Sequence, residues 1–388
     1  MIDYQSMIGQ KIQQVKPSGI RRFFDLAGSM DNVISLSIGE PDFATPWHVR
    51  QAAVDSIEKG MTYYSPNRGF KELLAGISAY FERRFHVSYD PEKEILVTVG
   101  GSEAIDAAIR TLVNPGEEVL VPQPSFVCYE PLTEMAGGIP VPIVTRAEDQ
   151  FRLTPEALKK AITPRTKLLI LPYPNNPTGA VMRREDLEKI ASVLRETNIL
   201  VLSDEIYSEL TYGAVRHVSI AEIDGMWERT VVVNGFSKSY AMTGWRLGYA
   251  LGPAAIIAQM TKLHQFGIMS APTVAQLAAV EALRNGDSDI EKMREEYNMR
   301  RQLILDGFRT MGLDCFEPEG AFYVFPCIRK TGMTSEEFCQ DLLEKERVAI
   351  IPGNAFGESG EGFARVSYSY SLKHIMEALE RIERFIKK

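Results

Sequence analysis

Short apolar runs alternate with amphipathic helical stretches through the middle of the chain. The apolar runs are rich in β-branched residues, which is typical of buried strands, and they lie at 33–36, 95–99, 118–121, 167–172, 199–203, 231–233 and 247–251. The helical stretches include 48–59, 71–85 and 103–113. Strands that alternate with helices predict an α/β fold, in which a mostly parallel sheet is covered by helices on both faces to give three α/β/α layers.

The pattern changes near residue 281. A long charged helical stretch over 281–306 is followed by short apolar runs at 321–325 and 364–368 and by a closing helix over 372–386. This predicts a smaller α+β domain. We therefore expect an N-terminal arm over 1–30 that is part of the small domain, a large domain over 31–285, and a small C-terminal domain over 286–388.

Composition narrows the class of protein. The chain has 388 residues, 45% hydrophobic and 24% charged, with a net charge of −8 and no basic stripe, so we expect neither nucleic acid nor a membrane as partner. The four cysteines form no CxxC pair and the five histidines have no metal-binding spacing, so no metal is expected. Reduced thiols, no signal-peptide core and no membrane-spanning apolar stretch indicate a cytoplasmic protein.

One lysine lies in a polar loop between the apolar runs 231–233 and 247–251. Lys238 has Ser237 before it, and Arg246 follows in the same loop. An ammonium between two buried strands is partly desolvated, which lowers its pKa and frees the amine to attack a carbonyl. Ser237 and Arg246 together suit a phosphate. From residue types alone, a solvated lysine in a surface loop remains the alternative.

Two further turns follow predicted strands. The Gly100-Gly101-Ser102-Glu103 turn precedes a helix, whose free N–H groups attract anions, although a plain helix cap would look the same. The 174–179 turn, PNNPTG, follows the strand at 167–172. Its two asparagines could present an amide to a ligand or could simply form a turn.

Asp204 ends a strongly apolar strand, where a buried carboxylate needs a cation such as a protonated ring nitrogen or a structural arginine. Phe126 and Tyr129 could stack on a planar ring or belong to the core. Each feature is ambiguous alone. Together they describe a planar, phosphorylated ligand with a carbonyl for Lys238 and a ring nitrogen for Asp204, which is pyridoxal phosphate.

The segments SKSYAMTGWRLGY, PNNPTG and LSDEIY resemble those of the class I/II pyridoxal-phosphate aminotransferases of the aspartate aminotransferase fold, known as fold type I. The resemblance runs from about Ser18 to the C-terminus. It implies that Lys238 is the Schiff-base lysine. It also implies that Ser237, Arg246 and the Gly101-Ser102-Glu103 turn bind the cofactor phosphate.

The same resemblance assigns the remaining site residues. It places Asp204 on the pyridine nitrogen, Tyr207 and Asn176 at the ring hydroxyl, and Phe126 against the ring. Tyr64 would reach the phosphate of the neighbouring subunit, which implies a homodimer with shared active sites. The groups that would hold the α-carboxylate of the substrate are Gly39, Asn176 and Arg365.

The function implied is transfer of an amino group from an L-amino acid to a 2-oxo acid, with 2-oxoglutarate as the expected acceptor. Within this family, the segments most resemble those of bacterial N-acetyl-LL-diaminopimelate, aspartate or aromatic aminotransferases. No second arginine matches a distal-carboxylate site, although Arg21, Arg22 and Arg68 are candidates, so a broad donor range is expected. A C–S β-lyase and a non-catalytic regulatory protein on this fold are the alternatives, and the intact lysine, aspartate and arginine set disfavours the second.

Overall fold

A seven-stranded sheet organises the part of the chain that the computed structural model describes, which is residues 2–17, 19–20, 23, 28 and 30–387. The strands in chain order are β1 Ile34–Ser35, β2 Ile95–Thr98, β3 Glu118–Gln123, β4 Ile139–Val144, β5 Thr166–Leu171, β6 Leu200–Asp204, β7 Thr230–Gly235, β8 Gly248–Leu251, β9 Tyr323–Val324, β10 Val348–Ala349, β11 Ile351–Pro352 and β12 Ala364–Ser367.

The helices flank these strands. In chain order they are α1 Tyr4–Met7, α2 Gln10–Gln14, α3 Trp47–Glu58, α4 Lys71–Phe85, α5 Gly100–Leu112, α6 Tyr129–Ala136, α7 Pro155–Ala161, α8 Arg184–Leu194, α9 Ala254–Gly267, α10 Thr273–Asn285, α11 Asp287–Thr310, α12 Ser335–Glu346 and α13 Leu372–Ile386. Short 3₁₀ turns lie between several of them, and one at Thr243–Trp245 precedes β8.

The large sheet has the order β2-β8-β7-β6-β5-β3-β4. β8 runs antiparallel to both of its neighbours, and the remaining pairs are parallel, which confirms the mostly parallel sheet. The edge strand β4 was absent from the sequence prediction. Its sequence IPVPIV carries two prolines and only Ile143 is buried, a pattern that an edge strand tolerates and a central strand does not.

Neighbouring residues of one strand pack into different layers. Val231 and Val233 of β7 belong to the apolar cluster that includes α5 and α9. Val232 belongs to the cluster on the opposite face, with α3, α4 and α10. Because side chains alternate along a strand, continuous apolar runs of this kind cover both faces of the sheet, and the three-layer prediction is confirmed.

The helical stretch predicted over 281–306 is two helices that break at Gly286. A Cβ on Gly286 would lie 2.6 Å from the carbonyl oxygen of Ala282 and 2.7 Å from Cε1 of Tyr240, so only glycine fits this close approach. α10 ends just before this residue and α11 begins just after it. The break coincides with the predicted boundary between residues 285 and 286, although the division into domains stays a prediction.

The C-terminal region carries two small sheets. β9, β12 and β11 form an antiparallel sheet, and β1 pairs in parallel with β10. Ile34 packs in one apolar core with Val348 and with Ile20 of the N-terminal arm. The segment that begins the predicted large domain is thus hydrogen-bonded to the C-terminal region. This brings the residues that follow β1 beside those of β12.

Candidate active site

A cavity of about 370 Å³ lies where the large sheet meets the C-terminal strands. Most of the predicted site residues line it, namely Gly39, Gly101, Ser102, Phe126, Asn176, Asp204, Tyr207, Ser237, Lys238, Arg246 and Arg365. Those from the large sheet follow the carboxyl ends of β2, β3, β5, β6 and β7 or end a strand themselves, as ligand-binding residues do in open α/β sheets.

Lys238 lies in the loop after β7, where its Nζ donates a hydrogen bond to the carbonyl oxygen of Gly39. The ammonium is 5.7 Å from the ring centroid of Tyr207 and 5.6 Å from that of Phe322. Burial lowers the pKa of Lys238 to about 8, while the negative charge of Glu40 opposes this shift. A substantial fraction of the amine is therefore neutral, and nucleophilic, near physiological pH.

Arg246 and the first turn of α5 form an anion-binding corner. A Cβ on Gly100 would overlap the Arg246 guanidinium, so this group lies directly against the start of the helix. Gly100 has a φ of +77°, which glycine adopts without strain. Unpaired N–H groups of the first helical turn, a guanidinium and the nearby hydroxyls of Ser102 and Ser237 suit a phosphate.

Asp204 presents a buried carboxylate to the same cavity. Tyr129 donates a hydrogen bond to Oδ2 over 2.7 Å, and the backbone N–H of Ile206 donates to Oδ1 over 3.2 Å. Burial raises the pKa of Asp204. Within the described ranges no arginine forms an ion pair with it, so the structural-arginine alternative is absent there and a cationic ring nitrogen fits the position.

Tyr129 was predicted as a stacking or core residue, and it does belong to the apolar core beside α5, while its hydroxyl also hydrogen-bonds to Asp204. Its ring is 2% exposed and stands edge-on to Phe126, with centroids 6.1 Å apart. Phe126 lines the cavity, where its face is available to a planar ring. Tyr129 also lines the cavity, and its hydroxyl orients the Asp204 carboxylate.

Arg365 lies on β12 and is 2% exposed. Its Nη1 donates to Oδ1 of Asn176 over 2.9 Å, and its Nη2 donates to the carbonyl oxygen of Ser37. Nε has no protein partner although it is buried. A buried guanidinium that lines a cavity and keeps a donor unsatisfied suits a carboxylate ligand.

Tyr323 is a cavity residue that the sequence analysis missed. Its hydroxyl lies 2.7 Å from the hydroxyl of Tyr207, and its ring lies 4.5 Å from the Cζ of Arg365. The run 321–325 was predicted as an apolar strand, in which a tyrosine looks like core. The available signal was its phenolic hydroxyl, which needs a hydrogen-bond partner when buried.

Two predicted residues lie outside the cavity lining. Glu103 accepts a hydrogen bond from the backbone N–H of Val99 and pairs with Nδ1 of His264 over 2.6 Å. Its side chain therefore caps α5, which begins at Gly100 rather than at Glu103, and only its backbone N–H remains for a phosphate. Tyr64 is 83% exposed, and its predicted contact with the phosphate of a neighbouring subunit stays a prediction.

None of the three arginines considered for a distal carboxylate is among the described residues that line the cavity. Arg68 does not line the cavity of its own chain and donates hydrogen bonds to the carbonyl oxygens of Pro91 and Ile95, over 2.8 Å and 3.2 Å, so its suggested role at a distal carboxylate stays a prediction. Arg21 and Arg22 lie outside the described residues.

The described ranges contain neither a candidate metal site nor a candidate membrane-spanning helix. Histidine, cysteine, aspartate and glutamate side chains form no group there that could hold a metal ion. No helix in the same ranges combines the length and apolarity needed to cross a membrane.

The chain is similar to known proteins over most of its length. The family model for aminotransferase class I and II matches residues 31–382. An aspartate aminotransferase of Pyrococcus abyssi is 44% identical, over 98% of both chains. A Bacillus subtilis protein named "Probable N-acetyl-LL-diaminopimelate aminotransferase" is 44% identical, over 99% of this chain and 97% of that one. The crystal structure of an aromatic aminotransferase from Pyrococcus horikoshii OT3 matches with a TM-score of 0.90 and 44% identity, over 95% of this chain and 98% of that one.

The match extends over almost the whole chain in both sequence and fold. The cavity supplies an anion-binding corner, a buried carboxylate, an aromatic face and an amine of lowered pKa, which is the donor set that pyridoxal phosphate requires. The chain therefore belongs to the class I and II aminotransferases and is a pyridoxal-phosphate-dependent transaminase.

Proposed function

We propose that this enzyme transfers the amino group of an L-amino acid to 2-oxoglutarate and that it accepts a broad range of donors. The observation that carries this proposal is the set of cations in the described cavity lining: Lys238, Arg246 and Arg365. The first two are assigned to the cofactor. Arg365 alone remains for substrate, and one guanidinium holds one α-carboxylate.

The proposed cofactor contacts follow from the positions around the cavity. The backbone N–H groups of Gly101 and Glu103, the hydroxyls of Ser102 and Ser237, and the Arg246 guanidinium would bind the phosphate. Phe126 would pack against the ring face, while Asn176 and Tyr207 would donate to the ring oxygen.

Pyridoxal phosphate supplies an aldehyde for the lysine and a ring that withdraws electrons from the substrate's α-carbon. Asp204 would keep the ring nitrogen protonated, since a buried carboxylate stabilises an adjacent positive charge. Lys238 would attach the cofactor and then, once freed, move the α-proton as a general base. Its pKa of about 8 lies close to the operating range that such a base needs.

The donor side chain meets mostly apolar groups. Ile20 and Ile38 line the cavity, together with the carboxylate of Glu40. An apolar surface discriminates by only about 1–3 kcal/mol per methylene, so selectivity should be loose. Three relatives named for aspartate, N-acetyl-LL-diaminopimelate and aromatic substrates share 44% identity with this chain, so overall similarity favours none of them.

N-acetyl-LL-diaminopimelate is the first named donor that we propose, with aspartate and aromatic amino acids as alternatives. The test compares kcat/KM for aspartate, phenylalanine and N-acetyl-LL-diaminopimelate with 2-oxoglutarate as the common acceptor. We expect the other two donors to match or exceed aspartate, and the three values to span no more than about a hundredfold.

An aspartate preference of a hundredfold or more that disappears on replacing Arg21, Arg22 or Arg68 would contradict this proposal. Arg110→Gln is the matched control, because Arg110 pairs with Asp106 at the surface and does not line the cavity. Release of pyruvate and ammonia from an S-alkyl cysteine is measured in parallel. If that reaction exceeds amino transfer, the enzyme is a β-lyase instead.

We further propose a homodimer in which Tyr64 completes the partner's site. Tyr63 and Tyr64 are 79% and 83% exposed, and Phe266 is 89% exposed. Asn67 donates a hydrogen bond to the carbonyl oxygen of Met269 over 2.7 Å, which joins the tyrosine loop to the segment after α9. Exposed aromatic surface of this kind is typical of an interface between subunits.

Mixing two defective subunits tests the shared site. A hybrid of Lys238→Ala and Tyr64→Ala subunits contains one site with native Lys238 and a native Tyr64 from the partner. A statistical mixture should therefore recover about a quarter of wild-type activity. A fully active monomer in sedimentation would contradict the idea.

The proposed location is the cytoplasm. The cysteines Cys128, Cys315, Cys327 and Cys339 are free thiols. Unpaired thiols of this kind are usual in a reducing compartment.

A further inference from the structure

Tyr323 connects two parts of the cavity that come from different regions of the chain. It lies on β9, opposite Ser367 of β12, and is 1% exposed. Its hydroxyl is 2.7 Å from that of Tyr207, which follows β6 of the large sheet. A Cβ on Gly39 would overlap the same hydroxyl, so Gly39 packs directly against it.

The ring of Tyr323 has a second contact. The Cζ of Arg365 lies 4.5 Å from its centroid, and the same Cζ lies 4.8 Å from the centroid of Phe356. The guanidinium thus lies over two aromatic rings. Cation–π attraction in such a buried site favours one orientation of the planar group and leaves its edge for hydrogen bonds.

We infer that Tyr323 is a positioning residue for transamination, in which its hydroxyl orients the Tyr207 phenol and its ring orients the Arg365 guanidinium. This inference rests on the proposed roles of Tyr207 at the cofactor ring oxygen and of Arg365 at the substrate carboxylate. One side chain would then orient both the Tyr207 hydroxyl at the cofactor and the Arg365 guanidinium at the substrate.

The two contacts have separable consequences. When the Tyr323 hydroxyl donates to the Tyr207 oxygen, the Tyr207 proton is left to point into the cavity. Hydrogen bonds in a chain polarise one another, so Tyr207 becomes a stronger donor to an anionic ring oxygen. Loss of the hydroxyl weakens that donor, and loss of the ring loosens the guanidinium.

The test uses the holoenzyme with two substitutions at this position. Tyr323→Phe keeps the ring and removes the hydroxyl, whereas Tyr323→Leu removes both. Tyr173→Phe is the matched control, since its buried hydroxyl donates to the carbonyl oxygen of Phe151 over 2.9 Å and Tyr173 does not line the cavity. The measurements are a pH titration of the bound cofactor's visible absorption and steady-state kinetics with 2-oxoglutarate.

For Tyr323→Phe we expect the titration midpoint to rise by about half a pH unit or more, with KM within about twofold of wild type. For Tyr323→Leu we expect the same rise together with an increase of about tenfold in KM for 2-oxoglutarate. Tyr173→Phe should leave both readouts unchanged. A purely structural role would lower thermal stability without moving the midpoint.

Either missing effect overturns the inference: an unshifted midpoint in Tyr323→Phe, or an unchanged KM in Tyr323→Leu. The phenylalanine variant keeps the packing, so its titration decides the matter even where the leucine variant does not fold. Arg365→Lys tests the proposed role of Arg365 separately from that of Tyr323. If it raises KM strongly while Tyr323→Leu does not, Arg365 binds substrate and Tyr323 does not position it.

Discussion

The two ends of the cavity are built in different ways. The cofactor end comes from turns that follow successive strands of one sheet, such as Ser102 after β2 and Lys238 after β7. The substrate end comes from Arg365 and the segment after β1, which meet across 328 positions of sequence through the Ser37 carbonyl oxygen. The first is set by local strand-to-turn patterns, and the second depends on how the C-terminal region packs.

This difference suggests a division of labour that variants can test. Residues of the cofactor end touch the group that performs the chemistry, so their loss should lower kcat. Residues of the substrate end hold only the reactant, so their loss should raise KM. A cofactor-end variant that mainly raises KM, or a substrate-end variant that mainly lowers kcat, would contradict this division.

The largest effect is expected for Lys238→Ala, which removes both the attachment point and the proposed base. Activity should fall by about 10⁴-fold or more, with no equal rise in KM. Borohydride reduction of the wild-type holoenzyme followed by peptide mapping should find the cofactor on Lys238. Lys262→Ala, which removes an exposed lysine bonded to Gln259, is the control. Cofactor fixed on another lysine would refute the assignment.

Asp204→Asn should retain the cofactor but lower kcat by about a thousandfold, because a neutral amide does not hold the ring nitrogen protonated. Absorption spectra report the bound cofactor and half-reaction kinetics report the proton-transfer step. The control is Asp106→Asn, which breaks only a surface pair with Arg110. Turnover close to wild type would mean that another group performs this role.

Arg365→Lys tests the substrate end. A lysine does not reproduce a bidentate guanidinium contact, so we expect KM for both the amino donor and 2-oxoglutarate to rise by about 10- to 100-fold, while the cofactor spectrum is unchanged. Arg329→Lys is matched to it, because Arg329 also stacks on an aromatic ring, 5.0 Å from the Phe363 centroid, but away from the cavity. An altered cofactor spectrum in Arg365→Lys would contradict the separation between the cofactor end and the substrate end of the cavity.

The smallest effect concerns the pH dependence of cofactor capture. Only neutral amine attacks an aldehyde, and the pKa of Lys238 is about 8, so the capture rate of the apoenzyme should rise with pH through a midpoint near 8 and level off above it. Glu40→Gln removes a negative charge that raises this pKa, so its midpoint should lie lower. Glu58→Gln is the control. A wild-type midpoint near 10.5 would contradict the desolvation argument.

The positions of Lys238 and Asp204 at one cavity could be predicted from sequence because the relevant signal is local. Lys238 and Asp204 each stand at or just beyond the end of an apolar run, and runs of this kind predict both the strand and the edge where its polar residue emerges. Arg365 and Tyr64 came only from the family resemblance. No periodicity marks a residue whose partners lie far away in the chain.

By itself, the sequence determined the layered α/β fold and the group of strand-end residues around Lys238, because hydrophobic periodicity and turn residues act over short distances. Tertiary structure alone decided which side chains face one another. It joined Tyr129 to Asp204 and Tyr323 to Arg365, turned Glu103 toward His264, and bonded Arg68 to backbone. Such pairings depend on the close packing of segments remote in sequence, which no local pattern encodes.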